Sequence, residues 1–364
     1  MDSVKKNYED SKLNYQILNG IADLVRVLDT DNRVVFENRA MAEALGQDEG
    51  NLTCHISDSI LKSEITKRTL ETGEIIQREE IIDGKAFSVK CSPIVGSHKE
   101  IIGVVEVFRN TTYEKMLQKE IIEKNKSMTR EMVQASKIQH SLLPDRGFLD
   151  NLQFDYTFNP SDVLSGDMFD IFKINNDNIG IYIADAVGHG FASSMITMFI
   201  KILVRNLSLS KLLTPSKTLA EVSKRFAKMN LDIEVYFALF YGVYNKKTGK
   251  FTFANAGHCP SPVIFNGENI ISLETSGFPI SRFFMNPTYE DYYVNLFCSD
   301  KILFMTDGIT EAEDKEKEPF GTEKICEILK KNNVDELKII NEELQKFVWD
   351  AQKDDMTALL VKVW

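Results

Sequence analysis

No stretch of this sequence reaches the roughly 18–20 consecutive apolar residues that a membrane-spanning helix requires. The opening segment, MDSVKKNYEDSK, also lacks the apolar core of a secretory signal. The cytoplasm is therefore the expected compartment, with no membrane partner. Cysteine is sparse: Cys54, Cys91, Cys259, Cys298 and Cys326 are five in number and form no CxxC pair. That argues against a disulfide framework or a structural zinc site, and reads as reduced thiols. Positive charge is in deficit too, with 43 Lys and Arg against 54 Asp and Glu and a formal net charge of -11. Gripping a phosphate backbone needs a clustered basic face, so nucleic acid is not an expected partner. What is present is ordinary for a globular chain. Apolar residues make up 43% of 364 positions and charged residues 27%, enough for two domains with separate cores.

The chain divides into three stretches. Residues 1–112 hold short strand patterns alternating with short helical ones. LVRVLDTDNRVVFEN reads as strand, Asp-rich turn, strand; RAMAEALG reads as a brief helix ended by Gly46; KAFSVKCSPIV and EIIGVVEVFRN read as two further strands. Residues 113–147 form a polar, helix-favouring linker that Pro144 stops. Leu117, Ile121, Met128, Ala135, Ile138 and Leu142 fit heptad seam positions, interrupted by Lys124 and Glu131. This predicts a helix over 113–143, either packed on a neighbouring domain or paired with its counterpart as an imperfect parallel coiled coil in a homodimer. Residues 148–364 hold eight strand-like runs and helical runs near 189–209, 216–230, 321–331 and 335–349. Strands cluster without regular βα alternation, which predicts an α+β architecture of antiparallel sheets covered by helices.

Aspartates recur where apolar strands meet turns. Asp167 stands in LSGDMFDIF, Asp185 in IADAVGHGFASSM, Asp307 in FMTDGITEA, and Asp354 with Asp355 in KDDMTALLVKV. A strand end holds a side chain firmly at the open edge of a sheet, and Gly188 and Gly308 allow the backbone to turn close by. An ionised carboxylate at the end of a buried strand needs a partner. Taken singly, each aspartate reads first as a turn residue, with a helix cap, an ion-pair member or a metal ligand as the alternatives. If the set converges, mutual repulsion would raise the pKa values, and hard divalent cations with oxygen preference would relieve it. Two such cations suit hydrolysis of a phosphate ester.

In order and at these spacings, SKIQHSLLP, SGDMFDIF, IADAVGHGFASSMITMFIK, FALFYGVYN, FTFANAGHCPSPVIF, FMTDGITEA and DDMTALLVKV resemble the metal-dependent protein phosphatase family, in its SpoIIE-like bacterial branch. The resemblance covers nearly all of 137–364. It implies an αββα sandwich for 148–364, with two manganese or magnesium ions at the sheet ends. By the same resemblance Asp185 bridges both cations and the Ala186 carbonyl serves one. Asp167 holds a cation directly or through water, and Asp307 and Asp354 complete the ligand set of the second cation, with Asp355 as the alternative to Asp354. Asp170 is either a supporting carboxylate or an exposed strand residue. The resemblance also implies a phosphorylated STAS-domain anti-anti-sigma protein as substrate. The stretch from ILNGIADLVRVLDTDNRVVFENRAMAEALG through IIGVVEVFRNTTYEK resembles a PAS sensor domain, whose ligand the residues do not name. Cys54 and His55 are packed loop residues or, through His55, a haem site.

The pattern departs from eukaryotic relatives where a histidine often taken as general acid follows the bridging aspartate by two residues, because Val187 stands there. His189 is a helix-start residue or a proton donor, and His258 is bonded to backbone or lies near substrate. Three rival readings stand beside the phosphatase. A sensor kinase phosphorylated on His140 would need an asparagine box and a Gly-rich lid, both missing. A diguanylate cyclase reading of SGDMFD would leave TDG and DDMT unexplained. A phosphatase-like scaffold that binds a phosphoprotein without turnover would keep the same carboxylates.

Overall fold

The structure, a computed structural model, describes residues 13–44, 64–82, 84–188, 190–232, 234–266, 269–284, 286–331 and 334–364. Gly46, Cys54, His55 and His189, each singled out by sequence, lie outside the described residues. The chain forms two compact units divided between Ser127 and Met128.

The first unit is one antiparallel sheet with helices. Strands β1 (Leu24–Leu28), β2 (Val34–Glu37), β3 (Ile76–Ile82), β4 (Lys85–Val95) and β5 (Ile101–Asn110) are ordered β2-β1-β5-β4-β3, with α1 (Arg39–Ala44) and α2 (Glu64–Thr72) beside them. The DTDN turn forms because the Asp29 carboxylate accepts the amides of Asp31 and Arg33 at 2.9 and 2.8 Å. Met41, Phe87, Val89 and Phe108 make one apolar cluster, and Leu28, Ile65, Cys91 and Val104 another. Between sheet and α2, Arg26 and Glu106 form a buried pair at 2.6 Å. The sequence pattern missed β3, whose IQREEII carries three adjacent charged or polar residues with exposed side chains. Pairing with β4, not apolar alternation, makes it a strand.

Helix α3 (Thr112–Leu142) follows, its bounds within a residue of those expected. The second unit contains two six-stranded antiparallel sheets. The first has β15 (Tyr292–Asn295), β11 (Lys250–Ala256), β10 (Tyr236–Asn245), β9 (Asn178–Ala186) and β8 (Asp167–Lys173) in that order, with β14 (Ile280–Ser281) paired to β10. The second runs β13 (Asn269–Ser272), β12 (Val263–Asn266), β16 (Lys301–Met305), β17 (Met356–Val363), β7 (Leu152–Asn159) and β6 (Gly147–Leu149). Helices α4 (Phe191–Arg205) and α6 (Pro215–Ala227) cover the first sheet, with α5 (Leu209–Leu212) packed on α6. Helix α7 (Asp307–Thr310) packs on β17, α8 (Gly321–Lys331) packs on α9 (Glu336–Phe347), and α9 meets β7. The layers are helix, sheet, sheet, helix.

KILFM explains why these layers stack. Ile302 and Phe304 enter the inter-sheet core, where Phe304 meets Phe240 and Phe251 with centroids 5.9 and 6.5 Å apart. Leu303 and Met305 point the other way, into a cluster with Ile325, Leu329, Ile340 and Leu344 of α8 and α9. A strand buried on both faces reads as an unbroken apolar run.

Strand β8 shows the same two-faced logic in charge. Asp170 faces α4, fully buried, where Arg205 donates to it at 2.7 and 3.0 Å and Lys201 lies at 3.2 Å. It is thus neither an exposed strand residue nor on the face of Asp167. Removing it would strand a mostly buried Lys201 without its anion, so Asp170→Ala is expected to destabilise the protein by about 3 kcal/mol. Urea unfolding measures this, and a loss below about 1 kcal/mol would mean that solvent already shields the cations.

Candidate active site

The strand pairing alone brings the first two carboxylates together. In the β8–β9 ladder Asp167 is the direct partner of Asp185. Their side chains share the face of Phe169, Ile171, Ile181 and Ile183 by the two-residue alternation of strands. On that face Phe169 meets Tyr156 and Phe158 of the other sheet, with centroids at 4.8 and 6.4 Å, so both carboxylates face the inter-sheet space. Like charges opposite one another weaken a ladder. Something other than pairing must justify them.

The second sheet supplies the rest from its own strand ends. Asp307 follows β16 and opens α7, a helical turn where the sequence suggested a simple turn. Asp354 precedes β17 and is exposed. Gly308 lets the two segments meet: a Cβ there would lie 2.1 Å from the Asp355 carbonyl oxygen, inside any real contact. Gly166 does the same for the first sheet, since its Cβ would lie 2.9 and 3.1 Å from the carbonyl oxygens of Gly188 and Ala186. Gly188 itself turns with φ +78°.

Asp355 behaves differently from its neighbour. Buried, it accepts the Ser161 amide at 2.6 Å, the Ser161 hydroxyl at 2.9 Å and the Gly166 amide at 2.5 Å. It therefore clasps the 161–166 loop of one sheet to the edge of the other. Among the described residues, the Asp354 carboxylate accepts only the following amide, at 2.8 Å. Thr306 is a second clasp, its hydroxyl donating to Asp167 at 2.9 Å while accepting the Thr357 amide at 3.0 Å. Glu311, one turn after Asp307, adds another exposed carboxylate. A cleft of about 270 Å³ bordered by Gly308, Glu311, Lys315, Trp349, Lys353 and Asp354 opens alongside.

The electrostatics follow from this crowding. Burial, then the charges of Asp307, Asp354, Asp355 and Glu311, push the Asp185 carboxyl up to about 8. Burial with Asp354 and Glu311 raises Asp307 to about 6, against the pull of nearby backbone amides. Burial and then Asp185 hold Asp167 well above the usual carboxylate range, with the Thr306 hydroxyl opposing. Burial and neighbouring carboxylates, not cations, dominate the surroundings of Asp185 and Asp307. Among the described residues, no three acidic, histidine or cysteine side chains gather tightly enough to enclose one ion by themselves. The donor set nonetheless fits hard divalent cations, which take all-oxygen ligands, keep several waters and need only one or two carboxylates each. It would not suit a softer metal, which prefers nitrogen or sulfur.

Of the residues singled out by sequence, Asp167, Asp185, Ala186, Asp307 and Asp354 come to one edge of the sandwich, and Asp355 joins them as a clasp. His258 does not face this edge as a free group. It is buried, its Nε2 donating to the Met305 carbonyl at 3.1 Å, and burial pulls its pKa down to about 4. Sequence reasoning passed over Thr306, Ser161, Gly166 and Glu311. Thr306 left one faint signal, a polar residue ending an apolar strand.

A helix-covered sandwich of two antiparallel sheets with an acidic edge defines the PP2C class of phosphatase folds. The SiaA PP2C domain of Pseudomonas aeruginosa superposes with a TM-score of 0.58 at 20% identity, over 66% of this chain and 98% of that one. The phosphatase domain and regulatory fragment of SpoIIE from Bacillus subtilis give 0.50 at 15%, over 84% and 88%. Residues 175–364, just over half of the sequence, match the family described as Stage II sporulation protein E (SpoIIE), and the chain belongs to that family of PP2C-type serine/threonine phosphatases. The matched span includes Asp185, Asp307 and Asp354 and begins beyond Asp167. Among curated relatives, phosphoserine phosphatase RsbP of Bacillus subtilis is 27% identical over 185 residues, 50% of this chain and 45% of its own. Phosphoserine phosphatase RsbU of the same organism is 29% identical over 153 residues, 42% and 44%. Protein IcfG of Synechocystis is 25% identical over 262 residues, 64% and 41%. The chain thus spans less than half the length of the curated relatives it matches.

Two outcomes follow from this geometry. Gly308→Ala forces the 307–308 and 354–355 segments apart and is expected to cost about 1–3 kcal/mol in urea unfolding. An unchanged midpoint would mean that the contact is not tight in solution. His258 titrates near 6.5 when unfolded and near 4 when folded. Between those values the unfolded chain binds the extra proton, so stability falls as pH drops through this window, by about 1.4 kcal/mol per unit for this group. Wild type compared with His258→Gln from pH 7 to 4 should show the variant gaining relative stability; parallel curves would place the ring in water.

Proposed function

We propose that the chain is a manganese- or magnesium-dependent protein phosphatase that hydrolyses phosphoserine on a regulatory protein. The observation that carries this reading is a set of carboxylates from two sheets gathered at one edge, where burial and mutual repulsion push Asp185 up to about 8 and Asp307 to about 6. Membership of the SpoIIE family supports the reaction class. The names of RsbU and RsbP as phosphoserine phosphatases support the substrate class.

In this reading Asp185, Asp307 and Asp354 hold two divalent cations, with the Ala186 carbonyl and Asp167 contributing on the first sheet's side. When bound, the cations lower the pKa of water and offset the negative charge of the phosphoryl group. The protein's part is orientation. Asp185 is fixed by ladder pairing to β8 on one side and β10 on the other. Asp355 and Thr306 hold the two sheet edges in register, so Asp354 rather than Asp355 is the ligand. Neither Val187 nor His258 can give a proton to the departing serine oxygen. The first has no acidic hydrogen, and the second is buried with its N–H engaged. Water reaching the open edge supplies that proton.

The regulatory reading extends further. A phosphorylated STAS-domain anti-anti-sigma protein is the proposed substrate, and the cytoplasm the proposed compartment. The order β2-β1-β5-β4-β3 supports a PAS sensor in the first unit. Met116, Leu117, Ile121, Ile122 and Met128 are exposed along α3, which supports pairing of that helix with a second copy through residues 113–143.

The test is phosphate release from a phosphoserine protein with Mn²⁺, for wild type, Asp185→Asn and Asp307→Asn. Both variants should lose at least about 10²-fold in kcat, while the metal-free Asp185→Asn protein gains on the order of 1–2 kcal/mol because one member of a repelling set is neutral. No turnover by folded wild type with either cation would leave the non-catalytic scaffold as the better reading.

A further inference from the structure

We propose that Gln139 of α3 is a positioning residue for the acidic edge, holding the loop that delivers Asp167 to the cation site. The inference rests on the metal-centre reading above. Gln139 is fully buried on a helix whose flanking residues Ile138 and His140 are exposed. Its side-chain amide pairs with both backbone groups of one residue: Nε2 donates to the Ser165 carbonyl at 2.7 Å, and Oε1 accepts the Ser165 amide at 3.1 Å. Docking a helix needs only apolar contact. A buried amide meeting both of its obligations is costly to misplace, so it enforces one geometry.

From Ser165 the connection runs directly to the site. The Ser165 hydroxyl accepts the Asp167 amide at 3.0 Å, the Gly166 carbonyl accepts the Ala186 amide at 3.0 Å, and the Gly166 amide donates to Asp355. Gly166 has no room to shift toward the 186–188 turn. The 161–166 loop is therefore held by Asp355 near both ends and by Gln139 at Ser165. The helix end is itself tied down, because Lys201 donates to the Leu142 carbonyl while paired with Asp170. Displacing α3 must move Ser165, and with it the start of β8.

The experiment uses the full chain, as wild type and Gln139→Leu, with Mn²⁺ as the probe. Calorimetry gives cation affinity, and hydrogen exchange with and without Mn²⁺ follows segments 160–168 and 132–142. In the variant, exchange in 160–168 should rise about tenfold and Mn²⁺ affinity fall about tenfold, as for other residues that orient ligands. By reciprocity, Mn²⁺ should slow exchange in 132–142 of the wild type, an effect that a purely structural glutamine would not produce. If Gln139→Leu does not fold, Gln139→Glu, which keeps the acceptor but loses the donor, replaces it, and the wild-type exchange measurement stands by itself. Unchanged affinity in a folded variant, or a 132–142 segment indifferent to bound Mn²⁺, overturns the assignment. Failure of the wild type to bind Mn²⁺ at all overturns the metal-centre reading instead.

Discussion

Mutual repulsion among carboxylates at the sandwich edge is the constraint around which the second unit is organised. Asp167 and Asp185 oppose each other in one ladder, and Asp307 and Asp354 approach from the other sheet. Burial and neighbouring charge together disfavour the ionised forms of Asp167, Asp185 and Asp307. A protein keeps such a cluster only if the surrounding structure is rigid enough to hold it and if something from outside relieves it. The double core supplies the rigidity, with β16 buried on both faces and aromatic rings packed between the sheets.

Two aspartates three residues apart on β8 make the contrast plain. Asp170 faces α4 and meets Lys201 and Arg205, so its charge is balanced within the protein and its role is to fasten helix to sheet. Asp167 faces the other way, where it accepts the Thr306 hydroxyl and is crowded by the charges of Asp185 and Asp355. Asp354 and Asp355 divide labour in the same manner. Asp355 takes three donors and joins the sheets; Asp354 takes the amide that follows it and lies at the surface. The number of donors the protein itself supplies separates the carboxylates that fasten the fold from those it leaves less satisfied.

Hydrogen bonds, more than apolar contacts, set the geometry at this edge. Asp355 to the 161–166 loop, Thr306 to Asp167 and Gln139 to Ser165 are all buried, and each joins segments distant in sequence. Such bonds tolerate little displacement, so a shift of α3 or of the loop is transmitted to the start of β8 and not absorbed by repacking.

Much of this was legible in the residues. Apolar runs ending in aspartate located the strands and their functional ends, and Pro144 and the polar heptads located α3, because strand alternation and helix periodicity are local properties. The order of the motifs gave the family and hence the sandwich. Charge-rich β3 was not legible, since ladder pairing and not side-chain pattern makes it a strand. Nor were the separate fates of Asp354 and Asp355, the turn of Asp170 toward α4, or the reach of Gln139 to Ser165. Those depend on which donors arrive from elsewhere in the chain, and only the packed tertiary structure brings them within the 3 Å at which a hydrogen bond decides what a carboxylate is for.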